Sequence, residues 1–427
     1  MVIAAIVFAV SLIIGVPIAF VLGLLGTTHF LTLGEPSYFN VLIQRMFSQV
    51  NLLSLTCLPF FILAGEIMNA GGVTKRLLGF IREVIGWLKG GMAYSTVIIA
   101  AILSAILGSP NGVASMLCNV LIPDLRKDGY PDEFSGALVA ASSILGPIIP
   151  PSIQFIMVCM LTDTSVKAMF LAGIVPGLLL AAVFCIVILY KAKKMEFKAS
   201  IERINIINLF KAFFKAIPAL MVPFVIMGGV IGGIFTATES GAISCLAAFA
   251  ASLIYGELEI KKIPAMLMRA SVVTGSIMLM IAFGGIIGWS MAIDGVPEKI
   301  IALITSITGN TNIIIAIMLA ILFLAGMVMD TGSITMIFVP VMFPLALAIG
   351  MDPVHFGLVF SVYVIIGYIT PPVGVVLFVT SNISGIPFKK LCSQIWMFAI
   401  GSMIVISVLS YLPEVVLWIP RMLGYNN

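Results

Sequence analysis

A solitary carboxylate and two double prolines interrupt otherwise apolar stretches of this 427-residue chain. They are Asp330, Pro150-Pro151 and Pro371-Pro372. An ionisable group in apolar surroundings needs a partner, a cavity or an ion, and each proline removes one backbone donor from a helix. Each double proline is therefore expected to leave two carbonyls, four residues earlier, without their helical donors. These carbonyls belong to Gly146, Pro147, Gly367 and Tyr368.

The freed carbonyls predict a site for a cation and an organic anion. Unpaired oxygens in hydrocarbon cost several kcal/mol each, so a ligand must satisfy them, and a desolvated Na⁺ suits such oxygens. The half-helices that follow Pro151 and Pro372 begin with positive dipole ends, which favour a carboxylate. Side-chain oxygens that could complete the Na⁺ shell belong to Ser109, Asn111, Ser152, Thr331, Ser333 and Thr370.

The composition excludes a soluble domain. Hydrophobic residues make up 61% of the chain and charged residues 9%, with a mean hydropathy of +1.22, whereas globular domains carry about 25% charged residues. Apolar runs of about 20 residues indicate spanning helices rather than the short alternating strands of a membrane barrel. The sequence thus predicts an all-α polytopic membrane protein. Its six cysteines show no paired spacing, which indicates core residues rather than a disulfide or metal framework.

The motifs of common enzyme classes do not occur in the sequence. It has no Cys/His cluster at metal spacing, no dinucleotide-binding glycine motif, no Walker lysine and no paired intramembrane aspartates. We therefore expect a secondary transporter rather than an enzyme or an ATP-driven pump, with no organic cofactor, nucleotide or nucleic acid. A gated organic-anion channel and a non-transporting membrane scaffold stay open as alternatives.

Long apolar segments predict the full spans. They run over about 2 to 26, 51 to 69, 168 to 190, 216 to 235, 240 to 255, 270 to 290 and 395 to 418. The first has no cleavage site and is predicted to be a retained span. A less regular segment continues through Arg45, and the basic amphipathic piece 75 to 89 predicts a helix at the membrane interface.

Shorter apolar pieces predict two re-entrant helical hairpins and two broken helices. At about 1.5 Å per residue, pieces such as 92 to 107 and 113 to 123 are too short to cross a bilayer. The first hairpin is predicted at about 92 to 123 with its tip at 108 to 112, followed by a broken helix at about 134 to 161. The second is predicted at about 313 to 348, with its tip at 330 to 333, followed by a broken helix at about 355 to 383.

Six glycines and prolines recur at a constant offset of 221 residues without a gap. Pro344, Gly350, Gly357, Gly367, Pro371 and Pro372 fall on Pro123, Gly129, Gly136, Gly146, Pro150 and Pro151. Such coincidence indicates a duplicated unit. The first copy is predicted over 1 to 190 and the second over 216 to 427.

The distribution of positive charge predicts the orientation. Alternating the spans places 18 of the 22 Lys and Arg residues on one side, and the basic linker 191 to 215 alone holds seven of them, including Lys198 and Arg203. By the positive-inside rule this side is cytoplasmic. The two hairpins must then enter from opposite faces, which predicts an inverted-topology repeat with broken helices at mid-membrane, the architecture of secondary transporters.

Several of these residues also have plain structural explanations. Asp330 could act as the N-cap of the helix that follows it, which is compatible with a role in the site. Glu66 and Glu239 lie at predicted helix ends and are interpreted as structural. His29 and His355 are placed at predicted loop edges and receive no role. A single proline break is usually only a kink, but two equivalent breaks favour a site.

Several motifs resemble the large membrane subunit of TRAP transporters, the DctM/SiaM family. They are Leu-Gly-Pro-Ile-Ile-Pro-Pro-Ser (145 to 152), Phe-Leu-Ala-Gly-Ile-Val-Pro-Gly (170 to 177), Gly-Gly-Ile-Phe-Thr-Ala-Thr-Glu (232 to 239), Gly-Met-Asp-Pro-Val-His-Phe-Gly (350 to 357) and Ile-Gly-Tyr-Ile-Thr-Pro-Pro-Val-Gly (366 to 374). The resemblance covers essentially the whole chain. It implies an elevator-type transporter of the bacterial inner membrane, in which the hairpins and broken helices form a mobile transport domain and the remaining spans a scaffold.

The resemblance also implies a driving ion, partners and a substrate class. A Na⁺ gradient, with two or more ions, would drive import of an organic acid that a periplasmic binding protein delivers. Because the sequence begins directly with a span, we expect the small four-helix membrane subunit to be a separate chain. The absence of an intramembrane arginine slightly favours sialic acid over C4-dicarboxylates.

The family's Na⁺ sites lie between each hairpin tip and the neighbouring break. The implied Na⁺ residues are Ser109, Asn111, Gly112, Gly146, Pro147, Pro150, Asp330, Thr331, Gly332, Ser333, Gly367, Tyr368, Thr370 and Pro371. The implied substrate-binding residues are Ser109, Asn111, Ser152, Gln154, Asp330 and Gly374. The first tip reads Gly-Ser-Pro-Asn-Gly and departs from the Ser-Gly-Ser-Ser type of run that many members carry.

Overall fold

The computed structural model describes residues 2–34, 37–195, 197, 199 and 205–425 of the chain. Within these ranges the protein consists of twenty α-helices and two short 3-10 helices, with no strand. Helices satisfy every backbone group within one segment, which is what a chain so rich in apolar residues requires in lipid. The all-α prediction is confirmed.

The helices of the first half run from α1 to α10. Their bounds are α1 Val2–Ile14, α2 Ile18–Leu33, α3 Ser37–Val50, α4 Cys57–Ala70, α5 Val73–Ile85, α6 Gly91–Leu107, α7 Pro110–Lys127, α8 Asp132–Ser143, α9 Ile153–Thr162 and α10 Val166–Lys194. A 3-10 turn at Leu53–Thr56 leads into α4.

The second half comprises α11 to α20. Their bounds are α11 Ile206–Ile231, α12 Ala237–Tyr255, α13 Ile263–Ile293, α14 Val296–Ile307, α15 Thr311–Gly326, α16 Thr331–Ala348, α17 Pro353–Gly367, α18 Val375–Ser384, α19 Phe388–Ser410 and α20 Pro413–Met422. A 3-10 turn at Ile260–Lys262 precedes α13.

Six described helices are long and apolar enough to cross a membrane, or seven if α4 and α5, which meet at a bend of 70°, form one span. One of the six is α16, with 18 residues. We expected both arms of each hairpin to be too short to cross, and for α16 this is wrong by length and composition. The apolar sequence continues through Pro340 and Pro344, which both lie inside the helix.

The N-terminal prediction needs two corrections. The first span was expected to be continuous from 2 to 26, but Gly15, with φ of +83°, ends α1, and Pro17 precedes α2. The segment through Arg45 was expected to be irregular, but it forms α3. Its apolar residues repeat at helical spacing, and Leu42 packs with Phe30 and Ile286 in a small cluster.

The corrections in the second half concern the residues at which helices begin and end. Helix α14 was not predicted, and it begins after Gly295, whose φ of +60° ends the preceding helix turn. The last span was expected at 395 to 418, but α19 ends at Ser410 and Pro413 begins α20. Helix α11 begins at Ile206, inside the segment predicted as linker. Lys198 and Arg203 lie outside the described residues.

The charged side chains at helix ends mostly form ion pairs and caps that stabilise the structure. Arg269 pairs with Glu66 at 2.7 Å, which agrees with a structural role for that carboxylate. Glu239 completes a capping box at the start of α12, where it accepts from the amide of Thr236 at 2.8 Å. His29 is buried inside α2 rather than at a loop edge, whereas His355 is buried in the first turn of α17, next to the loop as expected.

We call the end of each helix pair that lies away from its tip the base of the pair. The bases of α6–α7 and α15–α16 lie at opposite ends of α19. Near the base of the first pair, the rings of Tyr130 and Phe197 lie 4.4 Å apart, beside the end of α10. That end contacts the start of α19, because Lys191 Nζ donates to Gln394 Oε1 at 2.7 Å. At the base of the second pair, the hydroxyl of Tyr411 donates to the carbonyl of Asn312 at 3.1 Å. Gln394 and Tyr411 lie about 25 Å apart along α19.

Candidate functional site

The first tip is a two-residue link between α6 and α7. Gly108, with φ of +56°, ends α6, and Ser109 precedes Pro110, the first residue of α7. Proline is pre-set for the first position of a helix, so the chain turns directly into α7. The tip is therefore shorter than predicted, and Asn111 and Gly112 lie in the first turn of α7.

The first break, residues 144 to 152, separates α8 from α9 and lies against this tip. A Cβ atom added to Gly108 would lie 3.1 Å from the carbonyl oxygen of Pro151, and one on Gly146 would lie 3.3 Å from that of Ser109. The backbone of the first tip thus lies close to the backbone of the first break. Ser152 caps α9 by accepting from the amide of Phe155 at 3.1 Å.

The second tip, Met327 to Asp330, ends on a charged residue. Asp330 is the N-cap of α16, where Oδ2 accepts from the amide of Ser333 at 3.0 Å and the Ser333 hydroxyl donates to Oδ1. The capping role weighed from the sequence is confirmed. Thr331, Gly332 and Ser333 were expected in the tip loop but form the first turn of α16, because the cap starts the helix at Thr331.

The second break, residues 368 to 374, is bound to its tip by hydrogen bonds. The amide of Thr331 donates to the Tyr368 hydroxyl, and the amide of Gly374 donates to the carbonyl of Met327 at 3.3 Å. A Cβ atom on Gly367 would lie 2.4 Å from the carbonyl carbon of Gly326, so only glycine fits there. Each break contains a cis peptide bond between its two prolines.

The expectation of four bare carbonyls is wrong for three of them. The Pro147 carbonyl accepts from the Ser152 hydroxyl at 2.6 Å. The Gly367 carbonyl accepts from the amide of Thr370 at 2.9 Å, and the Tyr368 carbonyl from that of Val376 at 3.2 Å. The chain coils into tight turns at the breaks and supplies its own donors. Each oxygen keeps a second lone pair that a cation could use.

Both tips and both breaks meet at one cavity of about 250 Å³. Eight predicted site residues line it, namely Ser109, Asn111, Pro147, Gln154, Asp330, Thr331, Gly332 and Tyr368. The other predicted site residues do not line it, namely Gly112, Gly146, Pro150, Ser152, Ser333, Gly367, Thr370, Pro371 and Gly374. The structure therefore brings residues 221 positions apart to one place.

Part of the lining could not be found from the sequence. Ile153 and Met157 of α9 contribute, and so do Val273, Ile277 and Met280 of α13. Helix α13 carries no charged residue, glycine-proline break or repeat in this segment and was interpreted as an ordinary span. Its role as a wall depends only on where it packs, since it contacts α16 and α4 in the folded chain.

A hydrogen-bonded chain links the two halves across the cavity. Gln154 Nε2 donates to Thr335 Oγ1 at 2.7 Å, and that hydroxyl donates to the carbonyl of Thr331 at 2.6 Å. Gln154 Oε1 and Asn111 Oδ1 are buried and accept from no donor among the described residues. Within those residues, no group of three or more His, Cys, Asp or Glu side chains could hold a metal ion. The polar atoms at the cavity that could coordinate a metal ion are oxygens, which suit a hard cation.

The chain matches the family model of the DctM component of tripartite ATP-independent periplasmic transporters over residues 5–415. It is 34% identical to a putative TRAP transporter large permease protein of Haemophilus influenzae, covering 95% of this chain and 96% of that protein. It is 30% identical to the sialic acid TRAP transporter large permease protein SiaM of Vibrio cholerae, covering 97% of both. It is 31% identical to the C4-dicarboxylate large permease protein DctM of Pseudomonas aeruginosa, covering 95% of both.

Among solved structures, the YdaH transporter of Alcanivorax borkumensis is similar in fold, with a TM-score of 0.64 over 91% of this chain and 90% of that one, at 13% identity. The fold is thus that of a polytopic helical membrane protein. The chain belongs to the DctM family of TRAP transporter large permease subunits, as the motifs predicted. It is a multi-pass inner-membrane protein and not an enzyme, and subunits of this family work with a small membrane subunit and a periplasmic binding protein.

Proposed function

We propose that this chain is the permease subunit of a Na⁺-coupled, binding-protein-dependent transporter that imports an organic acid anion. The observation that carries the proposal is the charge of the cavity. Asp330 is the one charged residue in its described lining, and that lining holds no Lys, Arg or His. A carboxylate ligand therefore enters a site that is already negative.

The size of this repulsion makes a cation necessary. Two like charges about 5 Å apart at an effective dielectric constant of about 20 repel by about 3 kcal/mol, which weakens binding by more than about 100-fold. Bound Na⁺ offsets this charge and so couples the anion to the Na⁺ gradient. Asp330 with the oxygens of Thr331 and Tyr368 would hold one ion. Ser109 with the carbonyls of Gly146 and Pro147 would hold another.

We further propose that the halves 1 to 190 and 216 to 427 form an inverted repeat that works as an elevator. The equivalent breaks at Pro150-Pro151 and Pro371-Pro372 support this, as do the helix pairs whose bases lie at opposite ends of α19. The hairpins and broken helices would move together and carry the cavity past the scaffold helices. Helix α13 would then be a wall that the cavity leaves during transport.

The partners and the substrate are also proposals. Several relatives are named large permease proteins, a name that favours a separate small four-helix subunit. Relatives of similar identity are named for sialic acid and for C4-dicarboxylates. We expect a monocarboxylate, with sialic acid slightly favoured, because the described lining of the cavity presents no cationic side chain to a dianion.

Uptake into proteoliposomes tests the proposal. The chain would be reconstituted with its small subunit and a candidate binding protein, under an inward Na⁺ gradient. We expect Asp330→Ala and Ser109→Ala to abolish uptake while the protein still assembles. Asp352→Asn is the matched control, because Asp352 is likewise an N-cap residue but lies outside the cavity.

Other results would support different functions. Uptake that persists after Na⁺ is replaced by K⁺, and that ignores the binding protein, would identify a gated channel. Unchanged phenotypes of both alanine variants in cells that require the transporter would identify a scaffold. Normal Na⁺-driven uptake by both variants would remove these two residues from the site.

A further inference from the structure

The cavity between the two tips presents an unusual excess of hydrogen-bond acceptors. Asn111 Oδ1 and Gln154 Oε1 are buried without a donor from the described residues, and the Asp330 carboxylate lies beside them in the same lining. A buried acceptor without a donor destabilises the protein, so a ligand that supplies the donor is bound more tightly. Gln154 is 3% exposed.

The orientation of the Gln154 amide is fixed by its neighbours. Thr335 Oγ1 uses its only proton on the carbonyl of Thr331, at 2.6 Å, so it can only accept from Gln154. The amide nitrogen of Gln154 must therefore point at Thr335, at 2.7 Å. The carbonyl oxygen is left on the cavity side and cannot be exchanged for a donor by a flip of the amide.

The lining also lacks the groups that a second carboxylate needs. None of its described residues is Lys, Arg or His, and its remaining walls are formed by Ile153, Met157 and the α13 residues. The second carboxylate of a dicarboxylate brings two more acceptor oxygens and a second charge into this surface. An aliphatic acid brings no donor at all. A hydroxyl group, in contrast, donates to an acceptor and is itself satisfied.

We infer that this cavity selects a monocarboxylate that carries several hydroxyl groups, of the sugar-acid class, whose hydroxyls donate to Asn111 Oδ1 and Gln154 Oε1. The volume of about 250 Å³ holds about eight waters, which suits a small sugar acid. The inference rests on the proposed function, since it assigns the ligand of that same site. Asn111 contributes from the first half, and Gln154 is held by Thr335 of the second.

Direct binding tests the inference without the selectivity of a binding protein. The membrane complex in lipid nanodiscs would be titrated by calorimetry with D-gluconate, hexanoate and succinate, in NaCl and in KCl. Gluconate and hexanoate have the same number of carbons and one carboxylate, and they differ in hydroxyls. We expect gluconate to bind at least about tenfold more tightly than either other acid in NaCl, since each hydrogen bond contributes up to about tenfold.

Variants assign the effect to the two acceptors. Asn111→Leu and Gln154→Met should each weaken gluconate binding about tenfold and leave hexanoate binding unchanged. Asn119→Leu is the matched control, because Asn119 lies on the same helix, is exposed, and donates to the carbonyl of Ser115 at 3.0 Å. Gluconate should bind this control as it binds the wild type.

Three outcomes would overturn the inference. They are equal affinity for gluconate and hexanoate, tighter binding of succinate, and absence of gluconate binding. If both variants instead weaken all three acids equally and raise the Na⁺ requirement, the two oxygens coordinate the cation and not the substrate. Failure of the proposed function gives a different result, in which gluconate is preferred but binds equally well in NaCl and KCl.

Discussion

The two tip and break regions have the same backbone design and different chemistry. In the first, a neutral tip lies against the break through glycine contacts, and the break satisfies its own Pro147 carbonyl with the Ser152 hydroxyl. In the second, Asp330 brings a charge, and two hydrogen bonds join tip to break. At the offset of 221 residues, Ser109 corresponds to Asp330 and Pro147 to Tyr368.

This difference separates what the two regions share from what they do not. Glycine and proline positions that shape the backbone recur in both halves, whereas the side chains that face the cavity do not. The charge sits on one half only, so the cavity carries one negative charge rather than two. A ligand anion then faces a repulsion that one or two monovalent cations can balance.

The largest expected effect is a steric clash, and the loss of stability it causes should differ between the two tip and break regions. Gly367→Ala places a Cβ atom 2.4 Å from backbone of Gly326, which cannot move aside, whereas the nearest atom to a Cβ on Gly146 is 2.9 Å away. We expect Gly367→Ala to destabilise the protein by at least about 3 kcal/mol and Gly146→Ala by less. Thermal unfolding in detergent measures both.

A glycine with free space around it provides the control for this comparison. Gly275, in α13, has no atom within 4 Å of a Cβ position. Gly275→Ala should stabilise the helix by about 0.5 to 1 kcal/mol. Equal melting temperatures for Gly367→Ala and Gly275→Ala would show that the close contact at the second break is not present in the protein.

The second prediction concerns a variant that places a carboxylate in the first tip, where the second tip already has one. Ser109→Asp adds a second carboxylate to the cavity, at an N-cap position where aspartate and asparagine are equally acceptable. Affinity for the anionic substrate should fall about 100-fold relative to Ser109→Asn, from a repulsion of about 3 kcal/mol. Substrate titration at fixed Na⁺ measures this ratio, and a ratio near one would show that the cavity charge does not control anion binding.

The third prediction concerns the hydrogen bond that only the second region has. Tyr368→Phe removes the acceptor of the half-buried Thr331 amide, which should cost up to about 1.5 kcal/mol. A lower melting temperature and slower Na⁺-driven uptake are expected. Tyr190→Phe, at a tyrosine that is 55% exposed, is the control and should behave like the wild type. A neutral Tyr368→Phe would mean that the second tip does not depend on its break.

The smallest expected effect is in the first region. Ser152→Ala removes both the cap of α9 and the donor to the Pro147 carbonyl, at a cost of about 1 kcal/mol in unfolding free energy. Ser142→Ala is the matched control, because the Ser142 hydroxyl is buried and has no partner among the described residues. If the two variants unfold at the same temperature, the Ser152 bonds do not stabilise the break.

The sequence was a good guide where structure is local. The double prolines and the glycines marked both breaks, and the short links around Ser109 and Asp330 marked both tips, because proline and glycine restrict the backbone whatever surrounds them. Errors arose where a helix is amphipathic or interrupted rather than uniformly apolar. Helices α3 and α14 were missed, and the first and last spans were drawn without their interruptions at Gly15 and before Pro413.

By itself the sequence determined that the chain lies in a membrane and that two double-proline breaks recur at an offset of 221 residues, and it predicted Asp330 as the charged residue of the site, since each follows from composition or from a few neighbouring residues. Only the tertiary structure decided that α13 walls the cavity, that Thr335 orients Gln154, and that the breaks satisfy most of their own carbonyls. These facts depend on atoms far apart in the chain, and no local pattern encodes a hydrogen bond across 181 residues.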